Sequence, residues 1–464
     1  MLVKPKFKYN ILSLSERYRS PTDRYAAGKA LREGVPRSSH GEWNPPAERL
    51  DPITLLEKSS QGRLPNLVPL RYGRMLKSPF TFLRGAAIVM AADLGTTPTT
   101  GIQVQACGDC HLLNFGGYAT PERNLVFDVN DFDETLPAPW EWDIKRLATS
   151  VVVAGRHINL SAKNCEKAAR TAVCSYREHM AKYAQMGAMD VWYSRIDARA
   201  LHNLVPDVNN RQRVDYVAKA LTRTSAQALP KLTEVVHGKW RITENPPLMY
   251  HLPPDDLLEE EVESVYQLYL QTVRDDLHVL LDRFRLVDIA IKVVGVGSVG
   301  TRCFVALLMA EDNEPLFLQM KEANNSVFEP YINKSIYQNH GQRVVAGQRL
   351  MQAASDIFLG WTRSERGHDF YVRQLRDMKV AVDIEDLSAS ELIGYSGLCG
   401  WALARAHARS GDPVMISGYM GKSDSFDRAI ANFAVAYADQ TERDHQALVA
   451  AVKSGRIQVI EENV

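Results

Sequence analysis

The spacing of apolar residues changes character several times along the chain. "LVPLRYGRMLKSPFTFLRGAAIVMAADL" (67–94) takes on helical spacing towards its end. From 101 to 134 the pattern shortens. "IQVQACGD" and "NLVFDVNDFDE" are β-prone runs separated by the turn signal "YATPER", which predicts a hairpin flanking a loop at 108–116. Helical periodicity then takes over. "WEWDIKRLATSVVVAGRHI" reads as one helix. The next starts at Ser161 as N-cap and carries Ala169, Val173, Tyr176, Met180 and Tyr183 on one face. A helix near 208–226 and a Pro-rich break, "TENPPLMYHLPPDD", lead to a long amphipathic helix predicted over 257–284. Its core stripe is Val262, Val265, Tyr269, Val273, Leu277, Leu280 and Phe284.

Strand-like texture returns at 286. "LVDIAIKVVGVGSVGTRCFVALLMA" and "PLFLQMKEA" predict a hairpin and a third strand, followed by a helix at 341–355 and the strand "HDFYVRQLR". From 388 the pattern is helical again. Ser388 and Glu391 form a predicted capping box before "LIGYSGLCGWALARAHARSG", and a last helix covers 424–453 with Gly455 as its stop. A β-rich block between two helical blocks gives an α+β class.

Composition narrows the options. Apolar residues are 45% and charged residues 24%, so the chain can build a large core without disulfide or metal staples. Lys+Arg and Asp+Glu are each 55, and this zero net charge points to neither nucleic acid nor membrane as a partner. Up to position 40 there are nine Lys/Arg against three Asp/Glu, read as a basic arm that wraps the body. No apolar run approaches the roughly 18 residues of a membrane span, and the first twenty residues lack a signal-peptide core. Of six cysteines only Cys107 and Cys110 are close in sequence, which suits a reducing compartment; the expected location is cytoplasmic.

Four segments carry candidate chemistry. "GVGSVG" sets Gly295, Gly297 and Gly300 where tight turns bring backbone N–H groups to phosphate oxygens. It also fits a dinucleotide-binding turn, with "TRCFVALLMA" as the following helix. Lys321 lies in an apolar strand 21 residues after Gly300, where an ammonium needs an anion. "CGDCHLLNFG" (107–116) spells the haem-attachment pattern C-x-x-C-H, which the missing export signal argues against. The same stretch places Asp109 and Asn114 five residues apart, the spacing of a kinase catalytic base and metal-binding Asn. "VNDFDE" then offers Asp131 as a second metal ligand, before Phe132 and Asp133.

Together these segments suit ATP and Mg²⁺. Asp109 and Lys321 are the catalytic candidates, and Asn114 and Asp131 the metal ligands. Gly295, Gly297, Gly300 and Lys321 hold phosphates, while Gln374 and Leu375 supply an adenine-binding hinge. His111 is read as shaping the loop, and Asp143 as a structural acid capping a turn. Arg84 and the basic arm are candidates for anion contacts. The catalytic loop precedes the glycine loop, the reverse of a kinase, so the expected fold is a circularly permuted kinase-like two-lobe fold. Its parts are an arm (1–66), a first C-lobe part (67–284), an N-lobe-like part (285–380) and a second C-lobe part (381–464).

"SPFTFLRGAA", "CGDCHLLNFG", "VFDVNDFDETLPAPWEWDIKRLA", "VVGVGSVGTR" and "GQRLMQAASDIFLGW" resemble the bacterial domain-of-unknown-function 2252 family over roughly residues 20–450. The resemblance implies no established activity. It adds that Cys110 is incidental, because a small residue such as Ala tends to stand there in the family.

Two departures from a kinase stand out. The helix after Lys321 has no Glu to pair with it, leaving Gln348, Glu322 or, on reach, Glu329. Cys107 also replaces the His of an H-G-D pattern. The expected activity is phosphoryl transfer to a small-molecule hydroxyl. A nucleotide-binding pseudokinase with a protein partner and a metal-dependent phosphoesterase built on Asp109 and His111 are the alternatives.

Overall fold

The computed structural model describes residues 19–197, 225–252, 259–311, 314–375 and 382–462. A leading segment holds five helices: α1 (Pro21–Ala30), α2 (Pro52–Ser60), α3 (Val68–Leu76), α4 (Pro79–Gly85) and α5 (Ala87–Leu94). Local sequence sets several of these starts. Ser20, Asp51 and Ser78 cap first-turn amides, each followed by a proline whose missing N–H costs nothing there.

Next, β1 (Gln103–Ala106) pairs antiparallel with β4 (Leu136–Pro139), enclosing a hairpin of β2 (Phe115–Ala119) and β3 (Leu125–Val129). Helices α6 (Trp140–His157), α7 (Ala162–Tyr183) and α8 (Ala188–Tyr193) follow. Helix α6 is buried from Trp140 to Gly155, so its polar residues Asp143 and Arg146 sit inside the core. The predicted face of α7 is buried throughout.

After α9 (Ser225–Leu232) come a hairpin, β5 (Thr233–Val236) and β6 (Lys239–Ile242), and the short β7 (Met249–Tyr250). The single helix predicted over 257–284 is two: α10 (Glu259–Leu270) and α11 (Asp275–Leu281). The break falls at β-branched Thr272 and Val273, before two acids that start α11. It frees Thr272 Oγ1 to donate to Trp361 O (2.8 Å) and accept from Trp361 N (2.9 Å), docking the pair on a strand edge. The predicted helix near 208–226 lies outside the described residues except for its last two.

The remaining strands are β8 (Arg285–Lys292), β9 (Cys303–Met309), β10 (Pro315–Glu322), β11 (Gly360–Arg363) and β12 (Asp369–Gln374), with α12 (His340–Met351) between β10 and β11. They form an antiparallel sheet in the order β11-β12-β10-β9-β8-β7. "TRCFVALLMA" is therefore the second strand of a hairpin and not the helix of a dinucleotide-binding turn. Alternation on β10 sends Leu316, Leu318 and Met320 towards α10 and α11, and Phe317, Gln319 and Lys321 to the opposite face.

Helices α13 (Ala389–Ser410), α14 (Pro413–Met420) and α15 (Ser425–Lys453) complete the chain, with the Ser388–Glu391 capping box present. The end of α13 lies against the start of β1. Ser410 Oγ accepts the Gln105 N–H at 3.2 Å, and a Cβ on Gly411 would stand 3.2 Å from Gln103 O. The fold is thus α+β, and no described helix is long and apolar enough to cross a membrane.

Candidate functional site

The loop after β1 is held from below by α6. The Asp143 carboxylate, fully buried, accepts the N–H groups of Cys107 (2.7 Å) and Gly108 (3.1 Å). His407 Nε2 approaches the same carboxylate at 3.2 Å, and Tyr176 Oη lies 2.9 Å from His407 Nδ1. Asp143 therefore fixes the loop backbone. Gly108 has φ +89°, and a Cβ there would stand 2.4 Å from Glu134 O, so only glycine fits. Cys107, Cys110 and His111 are all buried. Burial raises both thiols, so they stay protonated, and pushes His111 down to about 3, so it is neutral. The C-x-x-C-H spelling is interior loop, unsuited to haem attachment. Cys107, Cys110 and Asp143 do bring three ligand-type atoms within 4.8 Å of one another, but the Asp143 oxygens are committed to the loop amides.

The Asp109 side chain, partly exposed, is held at the surface of this loop. Its Oδ1 accepts Arg146 Nε at 2.6 Å, and Arg146, buried on α6, also donates to Leu83 O (2.9 Å). Asn114 Nδ2 donates to Asp109 O (2.5 Å). Asn114 O accepts the Asn130 N–H at 2.8 Å, tying the loop to the acidic turn after β3.

In that turn Phe132 is buried and anchors the two acids beside it. Lys321 Nζ lies 2.6 Å from Asp133 Oδ2 and 3.6 Å from Asp131 Oδ1. Lys321 is 2% exposed. Burial alone would lower its pKa, but Asp131 and Asp133 more than reverse this and hold it well above the ordinary lysine value. Asp133 Oδ1 also accepts the Tyr371 O–H (2.6 Å), and Oδ2 accepts the Ser298 O–H (3.3 Å) from the glycine loop. Asp133 therefore joins the acidic turn, the lysine strand and the glycine loop.

Helix α12 supplies no acid to Lys321. It offers Arg343, which donates to the carbonyls of Asp133 (2.7 Å), Thr135 (2.6 Å) and Asn324 (2.7 Å). Gly347 allows this approach, since a Cβ there would stand 2.4 Å from Thr135 Cγ2. The expected partner Glu329 is instead bonded by Asn325 Nδ2 (2.6 Å). Glu322 faces the other way, bonded to Arg302, and Gln348 bonds Gln352. The anion paired with Lys321 is therefore Asp133, two residues after Asp131.

The glycine loop is pinned through its carbonyls. Arg63 Nη1 donates to Gly297 O (2.8 Å) and Val299 O (2.6 Å), Arg74 Nη1 to Gly295 O (2.5 Å), and Leu64 N–H to Gly300 O (2.7 Å). The N–H groups of Gly297, Ser298 and Gly300 make no hydrogen bond among the described residues.

On the expected hinge, the Gln374 N–H donates to Asp356 Oδ2 (2.5 Å) and the Leu375 N–H to Phe317 O (2.9 Å). Both amides are thus engaged, and residues 376–381 lie outside the described residues. Arg373 bridges β12 to the acidic turn through Asn130 O (3.2 Å).

The structure brings together Asp109, Asn114, Asp131, Lys321 and the glycine loop; Gln374 ends β12 and Leu375 follows it. Sequence reasoning missed Asp133, Arg146, Arg343, Ser298 and Tyr371 as parts of the site. Arg146 had a signal, standing three residues after Asp143 and so on the same side of α6.

No curated protein and no solved structure matches the chain significantly. One family model does, over residues 63–451, which include every segment that builds this site, and its members are described as uncharacterised proteins conserved in bacteria. The chain belongs to that family, DUF2252.

Proposed function

We propose that the chain is an ATP- and Mg²⁺-dependent phosphotransferase on a circularly permuted kinase-like fold. The observation that carries the proposal is the meeting of Lys321 with Asp131 and Asp133, beside the loop bearing Asp109 and Asn114. These groups come from segments nearly two hundred residues apart and have the types and roles of a phosphoryl-transfer site. The sheet supports it too. A glycine turn joins its first long strands, β8 and β9, a lysine sits on the next, and a helix follows before β11 and β12. The contact between the end of α13 and the start of β1 is where an unpermuted chain would run straight from helix to catalytic loop.

The residues fit the cation and the nucleotide. Mg²⁺ takes hard oxygen ligands and keeps several waters, and Asn114 Oδ1 and the Asp131 carboxylate would hold it. When bound, the cation would neutralise charge on the phosphates. The unbonded N–H groups of the glycine loop would cover those phosphates, and Lys321 would leave Asp133 for the α/β-phosphates. Asp109, oriented by Arg146, would accept the acceptor hydroxyl's proton. The lack of an acid on α12 does not weaken the reading, because Asp133 already supplies the lysine's anion. A dinuclear metal phosphoesterase is less well supported: among the described residues, the His/Cys/Asp/Glu group close enough to hold an ion is Cys107, Cys110 and Asp143, which includes neither Asp109 nor His111.

Asp109→Asn tests the role of the loop. Turnover of ATP, with water or a hydroxyl compound as acceptor, should fall by about 10²-fold or more while Mg·ATP binding stays within about threefold of wild type. Equal turnover in the variant would overturn the proposal. Nucleotide binding without turnover in the wild type would favour a pseudoenzyme.

A further inference from the structure

We infer that Arg84 is the transition-state cation of this site, supplied from the leading helical segment to the phosphoryl group in flight; this rests on the phosphotransferase reading. Arg84 lies at the junction of the two loops that would bracket a transferring phosphoryl group. The preceding carbonyl, Leu83 O, accepts Arg146, whose Nε holds Asp109. Its own carbonyl oxygen stands 3.1 Å from where a Cβ on Gly297 would be. Residues 83 and 84 thus touch the machinery of the acceptor on one side and the phosphate cover on the other.

The neighbouring arginines are all spent. Arg63 and Arg74 bond loop carbonyls, Arg71 bonds Ser59, Ser60 and Gly85, and Arg146 bonds Asp109. Arg84 differs. Its guanidinium lies 5.8 Å over the Phe80 ring and makes no hydrogen bond or ion pair among the described residues, and its Nε is buried without a partner. Removing a guanidinium from water without a counter-anion is costly, and burial holds Arg84 below the ordinary arginine range despite Asp109 nearby. A planar fork of N–H donors beside Asp109 matches the equatorial oxygens of a phosphoryl group.

In the step itself the acceptor oxygen forms a bond to the γ-phosphorus and the bond from that phosphorus to the β,γ-bridging oxygen breaks. The electron pair leaves with ADP, and the acceptor proton passes to Asp109. Charge gathers on the three equatorial oxygens, and Arg84 neutralises it there.

Calorimetric titration of the full chain with Mg·ADP, alone and with aluminium fluoride as a mimic of the planar phosphoryl group, tests this. Wild type should bind Mg·ADP, and more tightly with the fluoride. Arg84→Gln should lose about 10²-fold of that tightening with Mg·ADP affinity within about threefold of wild type, and Arg84→Lys should lose less. Retained tightening in Arg84→Gln, absent tightening in wild type, or loss of Mg·ADP binding itself in a folded Arg84→Gln would each overturn the inference and leave the phosphotransferase reading standing. Wild type that binds no Mg·ADP would overturn both. Thermal melting confirms that each variant is folded; should Arg84→Gln not fold, Arg84→Lys decides, and tightening equal to wild type there would count against the fork geometry.

Discussion

Asp143→Asn isolates what holds the catalytic-type loop. The native carboxylate, fully buried, faces the N–H groups of Cys107 and Gly108 and the Nε2 of His407. In the tautomer that lets Tyr176 donate to Nδ1, all three are donors. An asparagine is nearly isosteric but offers one acceptor oxygen and turns an NH₂ towards the remaining donors. Hydrogen bonds to a charged group contribute about 1.5–3 kcal/mol each and neutral ones about 1 kcal/mol. A buried donor left without a partner costs about 1–3 kcal/mol. With the amide oxygen in the Oδ2 place, the bonds from Cys107 and His407 weaken and the Gly108 N–H is orphaned, which together comes to about 4 kcal/mol. Urea unfolding should show this as a lowered midpoint at unchanged slope. Amide hydrogen exchange at Cys107 and Gly108 should accelerate more than at amides of β2 and β3. A loss below about 0.5 kcal/mol, with both amides still protected, would refute the role given to Asp143.

Gly108→Ala should cost at least about 2 kcal/mol by the same assay, because it combines a left-handed backbone with a Cβ 2.4 Å from Glu134 O; a neutral outcome would mean the turn at 133–135 can yield. Arg405→Leu leaves Asp128, 1% exposed, buried without its cation and should cost about 3–5 kcal/mol, with Asp128→Asn in the same chain recovering part of it; full additivity would argue against the pair. His40, buried against Tyr419, has its pKa pushed down to about 3 by burial and by Lys145. Its folded pKa lies below the unfolded one, so its contribution is complete above about pH 6.5 and is lost as pH falls towards 3, by up to about 4 kcal/mol. His40→Gln should therefore be less stable than wild type at pH 7 and approach or overtake it at pH 4; a pH-independent difference would contradict the shift.

Much of the site was legible because its chemistry is local in sequence. Asp109 with Asn114, and Asp131 with Phe132, sit within single turns, so spacing alone paired them. The order of the two loops, 108–116 before 295–300, was read directly from the sequence. The partner of Lys321 was not, because strand register and the fold of the acidic turn select Asp133 over the sequence-near Glu322 and Glu329. Alternation sends Glu322 to the opposite face of β10, a consequence readable from period two once the strand is accepted. The pinning of the glycine loop by Arg63 and Arg74 is a contact across more than two hundred residues that no local pattern encodes. Among elements, β11 and the β5–β6 hairpin escaped because strands of four residues carry too few alternations to stand out. The break between α10 and α11 lacks Gly or Pro; only Thr272, Val273 and the following acids marked it.

The most direct test of the central claim is calorimetric titration with a non-hydrolysable ATP analogue, in the presence and absence of Mg²⁺, on wild type and Lys321→Met. The account predicts Mg²⁺-dependent binding of one nucleotide per wild-type chain, weakened at least about tenfold in a folded Lys321→Met variant. No binding by the wild type at millimolar nucleotide, or equal binding by the variant, would contradict it.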